Sequence, residues 1–128
     1  MTIKYLLFSV AFVALAGCTS APVRNINEAP VVLGSGKAAT ADQVRTAIVG
    51  AGNGLGWTMT PGAPGLVTGR IALRGHTAQI DVRYTPTTYS IADKDSTNLD
   101  FRDGQIHKNY NGWIENLNRD IRGNLMAM

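Results

Sequence analysis

The chain has little cysteine, little histidine and few aromatic side chains. Its 128 residues include one cysteine and two histidines, and phenylalanine, tryptophan and tyrosine together make up 7%. A single cysteine excludes an internal disulfide, so the fold must depend on a packed core. The net charge is only +3 with dispersed basic residues, which excludes the dense basic patch typical of nucleic-acid binding. No apolar run reaches the roughly 20 residues of a membrane-spanning helix.

The single cysteine, Cys18, follows a short apolar segment. Lys4 supplies a positive N-terminal region, residues 5–14 (YLLFSVAFVA) are apolar, and two small residues precede the cysteine. This order predicts a signal peptide over residues 1–17. Residues 15–18 (LAGC) resemble the lipobox of bacterial lipoproteins.

The lipobox resemblance implies attachment of a diacylglyceryl group to the Cys18 sulfur, cleavage before Cys18 and acylation (palmitate or a similar chain) of the new amino group. Each buried methylene contributes about 0.8 kcal/mol, so three acyl chains hold a protein on a bilayer almost irreversibly. Thr19 stands where an aspartate would favour the inner membrane in enterobacterial sorting. The expected location is therefore the outer membrane, facing the periplasm. A secreted protein with a chance cysteine is the alternative.

Residues 18–39 are predicted to form the lipidated N-terminus and a flexible linker. Proline, glycine, serine and asparagine recur there, and no apolar period persists. Such a linker would lift the folded part away from the lipid headgroups. Residues 31–37 (VVLGSGK) are similar to a phosphate-binding loop, but Val31 replaces its first glycine and Ala38 follows its lysine, which argues against nucleotide binding.

An α+β domain is predicted over residues 40–128. Thr40 and Gln43 have the spacing of a capping box at the start of a helix, and the glycines between residues 50 and 56 are expected to end it. Residues 57–92 alternate between apolar and polar side chains in four segments. This period predicts a four-stranded antiparallel meander.

The register of the meander follows from a two-residue turn at Arg74 and Gly75. With this turn, every inward residue of one strand of the central hairpin lies opposite an inward residue of the other strand, so the apolar face of the sheet is continuous. Trp57 is expected opposite Gly69, where the missing side chain leaves room for an indole. The predicted pairs are Leu73 with His76, Ile71 with Ala78, Gly69 with Ile80, Val67 with Val82, Tyr84 with Tyr89, and Val82 with Ile91.

A second helix is predicted near the C-terminus, after a polar connection over residues 93–104. Apolar residues recur at helical spacing from Ile106 to Leu125, with Asp103 as the expected N-cap. Each helix carries one apolar stripe and the sheet has one apolar face. The predicted α-β-β-β-β-α domain therefore has two layers, with both helices on the same face of the sheet.

Residues 96–101 (STNLDF) and 106–117 (IHKNYNGWIENL) resemble the C-terminal signature of small uncharacterised bacterial lipoproteins and periplasmic proteins. Phe101 stands where that signature has tyrosine. The resemblance implies the fold and the location, and it implies no activity.

Few residues are candidates for catalysis or metal binding. His107, near several aspartates, is interpreted as a hydrogen-bonding link between loop and helix, with zinc ligation or acid–base chemistry as the alternative. A metal site needs three or four ligands, and no ligand spacing of that kind is present. Ser96 lies outside any nucleophile elbow, which disfavours a hydrolase. No cofactor is expected.

Two polar surfaces are candidates for binding a partner, although simple solvation is the favoured interpretation of both. One is the outward face of the sheet and the other is the polar side of the C-terminal helix. Tyr84, Tyr89, Tyr110 and Trp113 are expected in the core, with an aromatic groove as the alternative. The predicted surface residues are Arg70, Arg74 and Arg83 on the sheet, and His107, Tyr110 and Asn111 on the helix.

The sequence thus predicts a lipid-anchored protein of the bacterial cell envelope that is a non-catalytic accessory or binding module. The expected partners are the membrane, through the anchor, and an envelope protein or peptidoglycan. No nucleic acid is expected. The alternative is a small periplasmic enzyme or metal-binding protein centred on His107.

Overall fold

The computed structural model describes residues 20–73, 75–97 and 105–128. Cys18, Arg74 and Asp103, which carry predictions, lie outside the described residues, as do the side chains of Ser96 and His107. The elements in chain order are β1 (Ser20–Pro22), β2 (Ile26–Pro30), α1 (Ala41–Gly54), β3 (Thr58–Pro61), β4 (Leu66–Leu73), β5 (His76–Tyr84), β6 (Thr88–Thr97), β7 (Gln105–His107) and α2 (Lys108–Met126).

Five of the strands form one open antiparallel sheet in the order β2-β6-β5-β4-β3. Strands β1 and β7 pair with each other in a separate two-stranded sheet. The α+β class is confirmed, whereas the prediction of four strands is wrong. The fifth strand of the main sheet is β2, which lies within the segment assigned to the linker.

Strand β2 escapes detection in the sequence because a β-bulge breaks its alternation. Ile26 pairs with Ile91 and Ala29 pairs with Tyr89, so β2 contains one residue more than β6 over this interval. The bulge includes Glu28, whose φ of 48° lies in the left-handed region. An inserted residue shifts the inward positions from a spacing of two to a spacing of three. The segment therefore lacks the period by which a strand is recognised.

The predicted register of the central meander is confirmed. Strands β4 and β5 pair as the two-residue turn requires, from Leu73 opposite His76 to Val67 opposite Val82. Tyr84 lies opposite Tyr89 across the next hairpin. That hairpin loop is ordered by the Thr85 hydroxyl, which accepts hydrogen bonds from two backbone N–H groups. Strand β6 then continues to Thr97, beyond the predicted start of a polar connection at residue 93.

Met59 occupies the space that Gly69 leaves, in place of the predicted Trp57. Met59 lies opposite Gly69 in the β3–β4 pair. A Cβ atom at Gly69 would lie 2.9 Å from the Met59 sulfur, and one at Gly52 on α1 would lie 2.3 Å from it. The thioether is therefore packed between two glycines on facing elements. Trp57 precedes β3 and is buried in the core.

One apolar cluster joins the inward face of the sheet to both helices. From Val67 to Ile71 on β4 and from Ala78 to Tyr84 on β5, inward residues are buried while their outward neighbours are exposed or half-buried. Because both helices contribute to the same cluster, they cover the same face of the sheet. The fully buried members of this core with the largest side chains are Tyr89, Tyr110, Ile48, Ile80, Ile91, Ile114, Leu117, Ile121, Leu125 and Val44.

Helix α1 begins with the predicted capping box. The Gln43 backbone N–H donates to the Thr40 hydroxyl at 3.2 Å, and the Thr40 backbone N–H donates to the Gln43 side-chain oxygen at 2.9 Å. Two backbone donors at the helix start are thus satisfied. The helix continues past Gly50 and Gly52 and ends at Gly54.

Helix α2 begins later than the sequence predicts. Its first residue is Lys108, and residues 105–107 form β7. Ile106 is therefore in a strand, and His107 ends that strand instead of lying in the first helical turn. Ile106 fits the helical spacing of the apolar residues, but its backbone pairs with Ala21 from the other end of the chain. Within the part of the chain that the structure describes, neither helix is long and apolar enough to span a membrane.

Candidate binding surfaces

The N-terminal arm, defined as residues 20–24, is docked on the domain. Its first three residues form β1, which pairs with β7 immediately before α2. Asn111 of α2 then holds the arm through its side-chain amide. Its Nδ2 donates to the Pro22 carbonyl at 2.8 Å, and its Oδ1 accepts from the Arg24 backbone N–H at 2.9 Å. One side chain thus satisfies a donor and an acceptor of the arm, as a neighbouring strand would.

An ion pair adds a further contact between the arm and α2. The Arg24 guanidinium lies 3.2 Å from a Glu115 carboxylate oxygen, and both side chains are more than half exposed. An exposed pair of this kind contributes at most about 1 kcal/mol. The two hydrogen bonds to Asn111 are therefore the main polar contacts that hold residues 22–24. Asn111, predicted as part of a binding surface, has its amide occupied within the protein.

Replacing Asn111 with alanine should release the arm without unfolding the domain. Each hydrogen bond contributes about 1 kcal/mol, so the loss of both, about 2 kcal/mol, predicts about thirty-fold faster exchange of the Arg24 amide hydrogen. Amide exchange followed by NMR measures this directly. Asn116→Ala is the matched control, since the hydrogen bond that the structure shows for the Asn116 side chain is to Arg119 and not to the arm. Unchanged exchange at Arg24 in the Asn111 variant would contradict the docking role.

The outward face of the main sheet carries a polar depression. Thr58 of β3 lies beside Arg70 of β4, which lies beside Gln79 of β5. Thr60 and Thr68 form the neighbouring cross-strand pair. The five side chains and the backbone of Gly69 enclose a shallow cavity of about 300 Å³. The depression therefore offers three hydroxyl groups, one amide and one guanidinium to a ligand.

The charges of this face are mainly positive at its exposed positions. Arg70 and Arg83 are exposed, and neither forms an ion pair with a carboxylate among the described residues. Asp81, which pairs with Thr68, is 22% exposed at its side chain and lies 3.9 Å from the Lys94 ammonium. The face is thus able to bind an acidic or hydroxyl-rich group. Arg74, the third predicted arginine, lies outside the described residues.

Tyr110 cannot contribute to a binding surface, contrary to the sequence prediction. It is fully buried, and its hydroxyl has no hydrogen-bond partner among the described residues. Burial, and secondarily the Asp93 carboxylate, raise the pKa of Tyr110 far above its usual range. Burial also raises the pKa of Tyr89, whose hydroxyl donates to Asn118, although Arg122 acts in the opposite direction. Both tyrosines are therefore neutral core residues, as the core interpretation predicts.

A third surface feature was not foreseen from the sequence. The side of α2 that faces the arm carries Arg119 and Arg122, which together with Arg24 line a groove of about 350 Å³. Only the docking of the arm brings Arg24 to this groove. Glu115, Arg119 and Arg122 are spaced four and three residues apart, so their side chains lie on one face of the helix. This spacing is the feature of the sequence that indicates the groove.

The described residues contain no group of three or more histidine, cysteine, aspartate or glutamate side chains that could hold a metal ion. Of the histidines, His76 is half-buried at the start of β5. For His107, only the backbone position at the end of β7 is described. The metal or acid–base role of His107 stays a prediction.

The described residues define a small α+β protein with an open antiparallel sheet, two helices on one face and polar surfaces elsewhere. Neither a protein family, nor a curated protein, nor a solved structure matched the chain.

Proposed function

We propose that this protein is a lipid-anchored component of the bacterial envelope that acts as a non-catalytic binding module. Residues 15–18 supply the lipid attachment site at Cys18, and Thr19 favours the periplasmic face of the outer membrane. The docked arm is the observation that carries the proposal. Strand β1 begins two residues after Cys18, so a lipid on that residue is joined to the folded domain by almost no intervening chain.

Because the arm is docked, a lipid anchor on Cys18 would hold the domain close to the membrane. A chain spans at most about 3.6 Å per residue, so Ser20 lies within about 7 Å of the Cys18 Cα atom. A flexible linker would let the domain sample many heights and orientations above a membrane. A paired strand this close to the anchor keeps the domain at the membrane surface with one end facing the lipids. The module therefore acts within a short distance of the bilayer.

Replacing Cys18 with alanine should abolish lipid attachment and release the protein from the membrane fraction. No other cysteine is present to accept the thioether. Incorporation of labelled palmitate, together with cell fractionation, measures both effects. Ser20→Ala is the control, because it alters the chain two residues away and leaves the sulfur in place. Labelling or membrane retention of the Cys18 variant at the native level would refute the anchor.

The binding activity is assigned to the polar depression on the outward face of the sheet. The partner proposed for it is peptidoglycan, whose stem peptides carry carboxylates and whose glycan carries hydroxyl groups. A planar guanidinium such as that of Arg70 can donate two parallel hydrogen bonds to a carboxylate. The neighbouring threonine and glutamine side chains supply donors and acceptors for hydroxyl and amide groups.

Arg70→Gln should weaken binding to purified peptidoglycan sacculi about ten-fold or more, because a hydrogen bond to a charged group contributes about 1.5–3 kcal/mol. Co-sedimentation of the protein with sacculi measures the change. Arg45→Gln is the matched control, since Arg45 is an exposed arginine of α1, on the other side of the domain. Absence of binding by the native protein, or equal losses in the two variants, would remove peptidoglycan as the partner.

A further inference from the structure

The groove between the N-terminal arm and α2 has the features of an anion site. Its lining is entirely polar at the side chains and includes three guanidinium groups against one carboxylate. The groove measures about 350 Å³ and is open to solvent. Its lining residues are Arg24, Glu115, Asn116, Asn118, Arg119 and Arg122.

The existing ion pairs of the groove leave its positive charge available. Arg24 is 3.2 Å from Glu115, and Arg119 is 3.0 Å from Asp120, on the same helix. Both pairs are solvent-exposed, and exposed pairs are weak enough to exchange for a better acceptor. Arg122 forms no ion pair with any carboxylate that the structure describes. A ligand with several anionic oxygens can therefore engage these guanidinium groups.

The position of the groove relative to Cys18 limits what can reach it. Arg24 is six positions after Cys18, so their Cα atoms lie within about 21 Å of each other. The arm that joins them is held against α2 by Asn111 and by the β1–β7 pair, so Arg24 keeps a fixed place beside the groove. If Cys18 carries the lipid anchor, this limit keeps the groove close to the phospholipid headgroups.

We propose that this groove binds the phosphate group of an anionic phospholipid in the membrane that holds the anchor. The proposal rests on the lipid anchor proposed above. Guanidinium groups suit phosphate because their planar donors match two of its oxygens at once. A bound headgroup would fix the α2 side of the domain against the bilayer. The outward face of the sheet, on the other side from the helices, would then stay available for a partner.

Arginine modification in reconstituted vesicles tests the proposal. The full lipidated protein is placed in vesicles of phosphatidylglycerol or of phosphatidylcholine and treated with phenylglyoxal, an uncharged reagent that modifies guanidinium groups. Peptide mass spectrometry then gives the rate at each arginine. A basic residue near an anionic surface gains about five-fold in attraction. Arg24, Arg119 and Arg122 should therefore react at least about five-fold more slowly in phosphatidylglycerol, while Arg70 and Arg83 react equally in both.

Two variants and a soluble anion complete the test. Replacing Arg119 and Arg122 with glutamine should remove most of the protection of Arg24, whereas Arg83→Gln should leave it intact. Equal rates in the two lipids would overturn the proposal. Protection by millimolar inorganic phosphate in phosphatidylcholine vesicles would assign the groove to free phosphate and overturn the lipid assignment. The mass of the peptide containing Cys18, read in the same digest, tests the anchor separately.

Discussion

Leu117→Ala should lower the free energy of unfolding by about 2–5 kcal/mol, a large part of the stability of a domain of this size. Leu117 is fully buried on α2, within the cluster that joins both helices to the sheet. Truncation removes apolar surface from the core and leaves a cavity that surrounding side chains fill only partly. Denaturant unfolding of the full chain, followed by circular dichroism, measures the loss.

Leu73→Ala is the matched control for this substitution. Leu73 ends β4 and is 47% exposed, so the same chemical change removes much less buried surface. We expect a loss below about 1 kcal/mol. Equal losses at the two leucines would show that α2 does not pack on the sheet as described, and the position of the arm would then lose its support.

Gly34→Ala should destabilise the protein by about 1–3 kcal/mol, the usual cost of forcing an extra group into a packed region. A Cβ atom at Gly34 would lie only 1.9 Å from the backbone carbonyl oxygen of Met126. The Gly34 backbone N–H also donates to the Leu125 carbonyl at 3.3 Å. A backbone atom cannot rotate away as a side chain can, so the loop and the end of α2 must separate. Thermal unfolding measures the effect.

Gly123→Ala should stabilise the protein, which is the opposite of the effect expected for Gly34→Ala. Gly123 lies in α2, and a Cβ atom there would meet no other atom within 4 Å. Alanine is favoured over glycine in a helix by about 0.5–1 kcal/mol, so this variant should be more stable than the native protein. Stabilisation by both substitutions would contradict the close approach of the loop to the end of α2.

The sheet register could be predicted because its determinants are local. The two-residue turn fixes the pair Leu73 and His76, and strict alternation carries that register along both strands. Strand β2 could not be predicted, since the bulge between Ile26 and Ala29 removes the alternation. Its pairing partner, β6, is also some sixty residues away in sequence. Local periodicity carries no information about such a partner.

The sequence pattern misplaces the start of α2 for a similar reason. Ile106 fits the helical spacing of the residues that follow it, but pairing with β1 keeps it extended. Asn111 is half-buried and its amide is occupied by the arm, which its sequence spacing could not indicate because the docking of the arm is a long-range contact. Spacing alone is compatible with Tyr110 in the core and with Tyr110 on a surface. Only its burial distinguishes the two.

The outward face was predictable from alternation, because outward positions are the polar members of each pair. Arg70 and Arg83 are exposed there as expected. The contribution of Thr58 and Thr60 was not foreseen, since β3 was expected to place Trp57 opposite Gly69. The shift of Met59 into that position brings Thr58 beside Arg70 and creates one wall of the depression.

The lipid anchor that we propose on Cys18 would hold the domain at a bilayer. Mass spectrometry of the mature protein, purified from bacterial membranes, tests it most directly. We expect a chain that begins at Cys18 and carries a diacylglyceryl thioether and an amide-linked acyl chain. A mature chain with an unmodified thiol at Cys18, or one that begins at another residue, would contradict it.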